Sequence, residues 1–348
     1  MSRYDLSRDE VGAILADVPR FRADQLWEGL YRHLAEPSEI GVLPRALRER
    51  LRSTPELAPA LQVERRVTAD GGLTEKWLSL LAGGARIETV LMHHPSHSTV
   101  CVSSQAGCAM ACSFCATGQA GFGRHLGVGE IVEQVVLAAR AARATGRRLD
   151  NVVLMGMGEP LANYASVMGA VRRVVADLGI GARHVTVSTV GVVPGIRRLA
   201  SEPLQVNLAV SLHGANDELR SSLVPLGRRY PIAELVAACE RYVAATRRRI
   251  SFEWALIAGV NDRASDAAEL ASIALPLRAH VNLIPLNPTP GYLAIGTSPA
   301  GVRAFRDRLA SHGVNVTVRR TKGRDIDAAC GQLAASPVNR APRTAARP

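Results

Sequence analysis

From about residue 98 onward, strand-like and helix-like segments alternate, and that repetition constrains the fold of this 348-residue chain more than any other feature. Runs rich in β-branched and aromatic residues predict strands near Val100–Ser103, Val152–Met155, Val185–Ser188, Val206–Ser211, Ile250–Leu256 and Val281–Pro285. Amphipathic stretches such as Gly129–Ala144 and Ile232–Ala245 lie between them and predict helices. Repeated βα units make a parallel sheet with ligands at the carboxyl ends of its strands. Six units are too few to close a full ring, so the expected fold is α/β, a partial (β/α)6 barrel.

The residues before the barrel have two other periods. Between Ser7 and Arg52 the spacing of Val11, Ile14 and Leu15, then Phe21, Leu26, Trp27 and Leu30, is helical, with breaks at Pro19 and Pro44. A small helical accessory domain is expected over 1–60. Residues 61–93 alternate instead, as in Trp77-Leu78-Ser79-Leu80 and Ile87-Glu88-Thr89-Val90-Leu91, with turn signals at Gly71-Gly72 and Gly83-Gly84. They read as a β-rich extension. The barrel then spans 94–330, and a tail over 331–348, ending PVNRAPRTAARP, is expected to be flexible or ordered only by RNA.

The start MSRYDLSRDE lacks a basic-then-apolar leader, and no apolar run reaches the ~18 residues of a membrane span, which makes a soluble, cytoplasmic protein the expectation. A net charge of +11 favours a polyanionic partner, the competing reading being a coding bias that converts surface lysine to arginine. Among the basic clusters, Arg319-Arg320-Thr321-Lys322 and the N-terminal module are the expected RNA contacts.

Six cysteines are too few for a disulfide framework, and three of them crowd into Cys108-Ala-Met-Ala-Cys112-Ser-Phe-Cys115, just after the first barrel strand. Three thiolates on one short loop can each hold one iron of a [4Fe–4S] cluster and leave the fourth iron open for a small molecule. A structural zinc site takes four ligands in pairs, and no second pair lies nearby; His125 is the weaker candidate for a fourth ligand. Cys239, in an apolar helical pattern, reads as core, and Cys101 taken alone reads as a strand-buried thiol.

The loop, with Phe114 before its last cysteine, resembles the radical S-adenosylmethionine superfamily. Within it, CVSSQAGC (101–108), FCATGQAGF (114–122), MGMGEPLANY (155–164), SLHGANDELR (211–220), NLIPLNPTPG (282–291) and DIDAACGQLA (325–334) resemble the RlmN family of ribosomal and transfer RNA adenine methyltransferases. The Cfr-type resistance enzymes, which methylate C8 of adenine, share most of these segments. The resemblance implies methylation of adenine C2 in 23S rRNA and in tRNA, with one [4Fe–4S] cluster and two S-adenosyl-L-methionine molecules per turnover. It implies Cys108, Cys112 and Cys115 as cluster ligands, Cys330 as the residue that becomes S-methylcysteine, Cys101 as its transient disulfide partner and Glu88 as proton acceptor. Gly158, Glu159, Ser188, Ser211, Leu212, His213 and Asn287 match the cofactor-binding positions. A flavodoxin or ferredoxin as electron donor, a monomeric state and no membrane partner are also implied.

Overall fold

A computed structural model describes residues 2–319 and 322–334, and its N-terminal segment turns helical where the apolar spacing asks for it. Ser7 caps α1 (Arg8–Ile14) by accepting from the Glu10 N–H, while the Glu10 carboxylate takes the Ser7 N–H in return. The breaks at Pro19 and Pro44 precede α2 (Phe21–Tyr31) and α3 (Arg45–Arg52), since proline ends one helix more readily than it interrupts one. Leu26, Trp27, Leu30 and Tyr31 of α2 are buried in a core that runs without a break from Tyr4 to Leu333.

The helical module packs on α5 (Val128–Ala144) and α6 (Tyr164–Ala176). Asp5 accepts from the Gly129 N–H at 2.6 Å, Trp27 donates to Asp177 at 3.0 Å, and Arg143 donates to the His33 carbonyl at 2.7 Å. Glu133 of α5 accepts from the Ala60 N–H at 2.7 Å and the Ser2 hydroxyl at 3.3 Å. Burial pushes its carboxyl up to about 7 from an ordinary 4.5. A folded-state value above the unfolded one means that its stability contribution is complete below about 4.5 and is lost as pH rises through about 7. Glu133→Gln, which keeps an acceptor, should therefore flatten the fall in melting temperature between about pH 5 and pH 8; a slope identical to that of the parent chain would exclude this linkage.

Strands β1 (Leu61–Ala69), β2 (Thr74–Leu81), β3 (Arg86–His93) and β4 (Ser98–Cys101) are antiparallel in sequence order. The Gly71-Gly72 and Gly83-Gly84 turns take the positive φ angles for which glycine is suited. The expected extension over 61–93 thus continues the barrel sheet. After β4 a small hairpin, β5 (Gln105–Gly107) and β6 (Phe122–His125), flanks the cysteine loop and the short α4 (Ala116–Gln119). The barrel proper follows: β7 (Asn151–Leu154), α6, β8 (Val185–Thr189), α7 (Val193–Leu199), β9 (Asn207–Ser211), α8 (Asp217–Leu223), α9 (Ile232–Thr246), β10 (Ser251–Leu256), α10 (Ala264–Ala274), β11 (His280–Pro285), α11 (Pro299–Ser311) and β12 (Asn315–Val318).

Among the described residues the ten-stranded sheet runs β1-β2-β3-β4-β7-β8-β9-β10-β11-β12, parallel from β4 to β12. The six expected strands lie within one or two residues of their observed places. β12 is an addition that the sequence reading lacks, a four-residue edge strand with alternate residues exposed. The expected tail beyond Ala334 lies outside the described residues, as do Arg320 and Thr321.

The sheet register decides what faces the barrel interior. Paired residues share a face and every second residue along a strand returns to it. Lys76 pairs with Val90, Leu78 with Glu88, and Val90 with Cys101. The same face continues through Val153 and Ser188 to Ser211, Glu253, Ile284 and, after β12, Arg319. Beyond β12 the chain leaves this edge and crosses to the opposite side, where Lys322 donates to the His93 carbonyl and Gly323 donates to Asp70 at 2.9 Å. Residues 322–334 thereby form a strap over the incomplete side of the barrel.

Candidate active site

The cysteine loop is held from several directions. Cys108 N–H donates to the Gly121 carbonyl at 2.7 Å, Ser113 N–H to the Leu223 carbonyl at 3.1 Å, and Cys115 N–H to the Cys112 carbonyl at 3.2 Å. Ala111 sits at φ 52°, an uncommon left-handed conformation for a residue with a Cβ. Cys108, Cys112 and Cys115 all line one cavity at the carboxyl ends of the strands, and all are free thiols. Burial pushes the Cys108 thiol up to about 11 and the Cys112 thiol further; iron ligation removes such protons. Among the described residues no three His, Cys, Asp or Glu side chains converge as a single ion requires. A cubic cluster takes each thiolate at a separate corner, and three cysteines in one cavity wall fit that donor set. His125 is not in the cavity wall; its Nδ1 is bonded to the Gln105 side chain at 3.0 Å.

Strand ends supply most of the rest of the wall. Gly158, at φ 98°, has no room for a side chain: a Cβ there would lie 2.5 Å from the Gln105 Cβ. Glu159 is buried, with one carboxylate oxygen accepting from the Leu161 N–H at 2.9 Å and the other from the Val190 N–H at 2.8 Å. Burial pushes its carboxyl up to about 7 against these hydrogen bonds. Ser188 donates to the Leu154 carbonyl at 2.6 Å. Asn287 donates to the Cys330 carbonyl at 3.1 Å, while its side-chain oxygen is buried without a hydrogen-bond partner among the described residues. An orphaned acceptor in a cavity wall suits a ligand that brings an N–H or O–H donor.

His213 adopts φ 60° and its Nδ1 accepts from the Ala255 N–H at 2.9 Å. Burial drives its pKa down to about 3, with Arg220 adding to the shift, so the ring is neutral at physiological pH and carries its proton on Nε2. Asn261 fixes this corner: it donates to the His213 carbonyl at 2.9 Å and the Ala255 carbonyl at 2.7 Å, and accepts from the Ile257 N–H at 2.8 Å. Asn261→Ala leaves those fully buried groups unpaired and should cost about 3 kcal/mol in denaturant unfolding. A loss under about 0.5 kcal/mol, the size of an ordinary surface substitution, would mean that the corner is held otherwise.

The strap brings Cys330 to the same cavity although it lies more than two hundred residues beyond Cys115. Its hydrogen bonds come from many elements: Ala116 N–H to the Gly331 carbonyl at 2.8 Å, the Thr117 hydroxyl to the Leu333 carbonyl at 2.5 Å, Gln332 to the Pro288 carbonyl at 3.1 Å, and Ala334 N–H to Glu88 at 3.0 Å. Gly331, at φ 85°, lets the chain turn directly after Cys330. Cys101 projects from β4 on the inward face, where burial pushes its thiol up to about 12; the nearby Cys330 sulfur adds to this and Arg319 opposes it. Arg319 is in turn held in its charged form by Cys330 first, then by Glu253 and Cys101, against its burial.

Of the expected site residues, ten line the cavity: Cys108, Cys112, Cys115, Gly158, Glu159, Ser188, Ser211, His213, Asn287 and Cys330. Glu88 and Cys101 share the inward sheet face without being part of its wall. Leu212 is wholly buried elsewhere, its N–H donating to the Glu253 carbonyl at 3.1 Å and its carbonyl accepting from the Gly214 N–H at 2.8 Å. Sequence reasoning missed Glu253 and Arg319, which line the cavity, and Lys76, which pairs with Glu88 at 2.7 Å. Arg319, grouped by sequence with an RNA-contacting basic run, turns inward. Strand alternation, counted back from Ser211 and Asn282, is the signal that could have found it.

The Radical SAM superfamily profile matches residues 102–271. The chain is 52% identical to "Probable dual-specificity RNA methyltransferase RlmN" of Frankia alni, over 97% of this chain and 84% of that one. It is 50% identical to "Dual-specificity RNA methyltransferase RlmN 1" of Myxococcus xanthus, over 98% of this chain and 96% of that one. Among solved structures, a radical SAM methyltransferase from Sphaerobacter thermophilus superposes with a TM-score of 0.93 at 52% identity, covering 97% of this chain and all of that one.

Proposed function

The chain belongs to the RlmN family of dual-specificity RNA methyltransferases, and from that premise we propose that it methylates C2 of one adenine in 23S ribosomal RNA and of an adenine in transfer RNA. The observation that carries this reading is a single cavity lined both by the three loop cysteines and by Cys330. Adenine C2 lies between two ring nitrogens and is electron-poor, so it does not attack a methyl sulfonium as an amine would. A radical route is needed. Radical SAM enzymes carry a [4Fe–4S] cluster and S-adenosylmethionine, which when bound supply a transferable methyl group and a carbon radical that abstracts hydrogen.

This chain's own groups do the rest. Cys108, Cys112 and Cys115 would hold the cluster, and Gly158, Glu159, Ser188, Ser211, His213 and Asn287 would hold S-adenosylmethionine, two molecules of which are used per turnover. The neutral His213 offers only a donor to that ligand and Asn287 an acceptor. Cys330 takes the methyl group and delivers its carbon to adenine C2. Glu88 accepts the proton leaving C2, and the Cys101 sulfur, giving up its proton, attacks the Cys330 sulfur: a disulfide forms as the sulfur–carbon bond breaks, the methylene carbon keeps that electron pair and takes a proton to become methyl, and the one electron left over returns to the redox chain that supplied it. The adenine is drawn out of its stack to reach the cavity, and the N-terminal module grips the surrounding RNA. The protein acts as a cytoplasmic monomer and takes its electrons from a flavodoxin or ferredoxin; among the described residues no helix is long and apolar enough to cross a membrane.

The test is mass spectrometry of nucleosides from ribosomal and transfer RNA of a strain lacking the gene, with and without its restoration. Loss and recovery of 2-methyladenosine is expected. Recovery of 8-methyladenosine instead would overturn the C2 assignment, and no change in either would overturn RNA as the substrate.

A further inference from the structure

Forty of the forty-two basic residues are arginines, and the two lysines, Lys76 and Lys322, both bond to strap or strap-facing backbone. Lysine is a compact charge with three freely rotating donors, so one ammonium can reach a carboxylate and a carbonyl at once. Lys76 projects from β2 with a side chain only 12% exposed. Its Nζ lies 2.7 Å from Glu88 Oε1 and donates to the Asp327 carbonyl at 3.2 Å. The other Glu88 oxygen accepts the Ala334 N–H at 3.0 Å. One carboxylate is therefore gripped by β2 on one side and by the Cys330-bearing strap on the other.

We propose that Lys76 is the positioning residue of the Glu88 base: its ammonium orients that carboxylate, and its second bond, to Asp327, ties this orientation to the seating of the strap that carries Cys330. The inference rests on the methyl-transfer reading above. Lys76 of β2 and Cys101 of β4 share the inward sheet face with Glu88, the strap reaches its carboxylate through the Ala334 N–H, and Glu253 and Arg319 lie further round the same face. A base accepts a proton only when its oxygen is held in line with the breaking bond, so a carboxylate that has lost its orientation takes the C2 proton slowly.

Lys76→Met and Lys76→Gln remove the charge at similar length, and Lys76→Arg keeps it. Three quantities are read on the full-length, iron-loaded enzyme: methylation of Cys330 by peptide mass spectrometry, methylated RNA released in a single turnover, and covalent protein–RNA adduct on a denaturing gel. In the uncharged variants we expect Cys330 methylation at the parent level, a ~10²-fold slower release of methylated RNA, and accumulated adduct. Lys76→Arg should restore release toward the parent rate. Normal Cys330 methylation with release of methylated RNA at the parent rate in both uncharged variants would overturn the proposal. Joint loss of Cys330 methylation and RNA methylation would also overturn it, since a merely structural residue behaves that way. Absence of Cys330 methylation in the parent enzyme would instead overturn the underlying functional reading.

Discussion

Cys330→Ala should eliminate methyl transfer to RNA while leaving iron content and melting temperature at the parent values. The strap is seated through backbone groups, the Cys330 carbonyl on Asn287 and the Gly331 carbonyl on Ala116 among them, so removing the thiol disturbs none of these bonds. What disappears is the atom that carries the methyl carbon. Cys101 cannot substitute for it, because that thiol lies outside the cavity wall. Loss of a covalent carrier with no replacement should cost at least ~10³-fold. The measurement is labelled methyl incorporation into RNA, with iron assayed in parallel; RNA methylated at the parent rate would show that the methyl group never passes through Cys330.

Cys101→Ala should fail differently, halting after the first turnover with RNA attached to protein. Carbon–carbon bond formation does not involve this thiol, so the reaction proceeds as far as the adduct on Cys330 and stops where sulfur must be displaced. A denaturing gel should show a slow-migrating band that nuclease collapses, with free methylated RNA below one equivalent per protein. Replacing a small buried side chain costs about 1 kcal/mol, too little to unfold the chain. Multiple turnovers without a retarded band would reduce Cys101 to the core thiol that its strand position first suggested.

Local signals in the chain account for much of what the structure contains. The βα repeats specify strands and helices through the periods of their apolar residues, and proline and the Ser7–Glu10 pair mark the helix ends. β12 escaped notice because four residues on a sheet edge bury too little to leave a strong pattern, and the β5–β6 hairpin because Gln105–Gly107 carries no β-branched run. At the site, Cys108, Cys112 and Cys115 are legible because cluster ligation requires short spacing on one loop. Glu88, Cys101 and Cys330 carry no such local mark; only resemblance singled them out.

By itself, then, the sequence determined the α/β architecture, the helical module before it, and a cysteine loop able to hold a cluster, because each depends on residues within a turn or two of one another. Tertiary structure alone decided that Lys76 holds Glu88, that Arg319 lines the cavity, that Asn261 locks His213, and that Leu212 stays out of the wall. Those outcomes depend on strand register and on a C-terminal strap crossing from one sheet edge to the other. Both are set by the summed packing and hydrogen bonding of residues far apart in the chain, which no local pattern encodes.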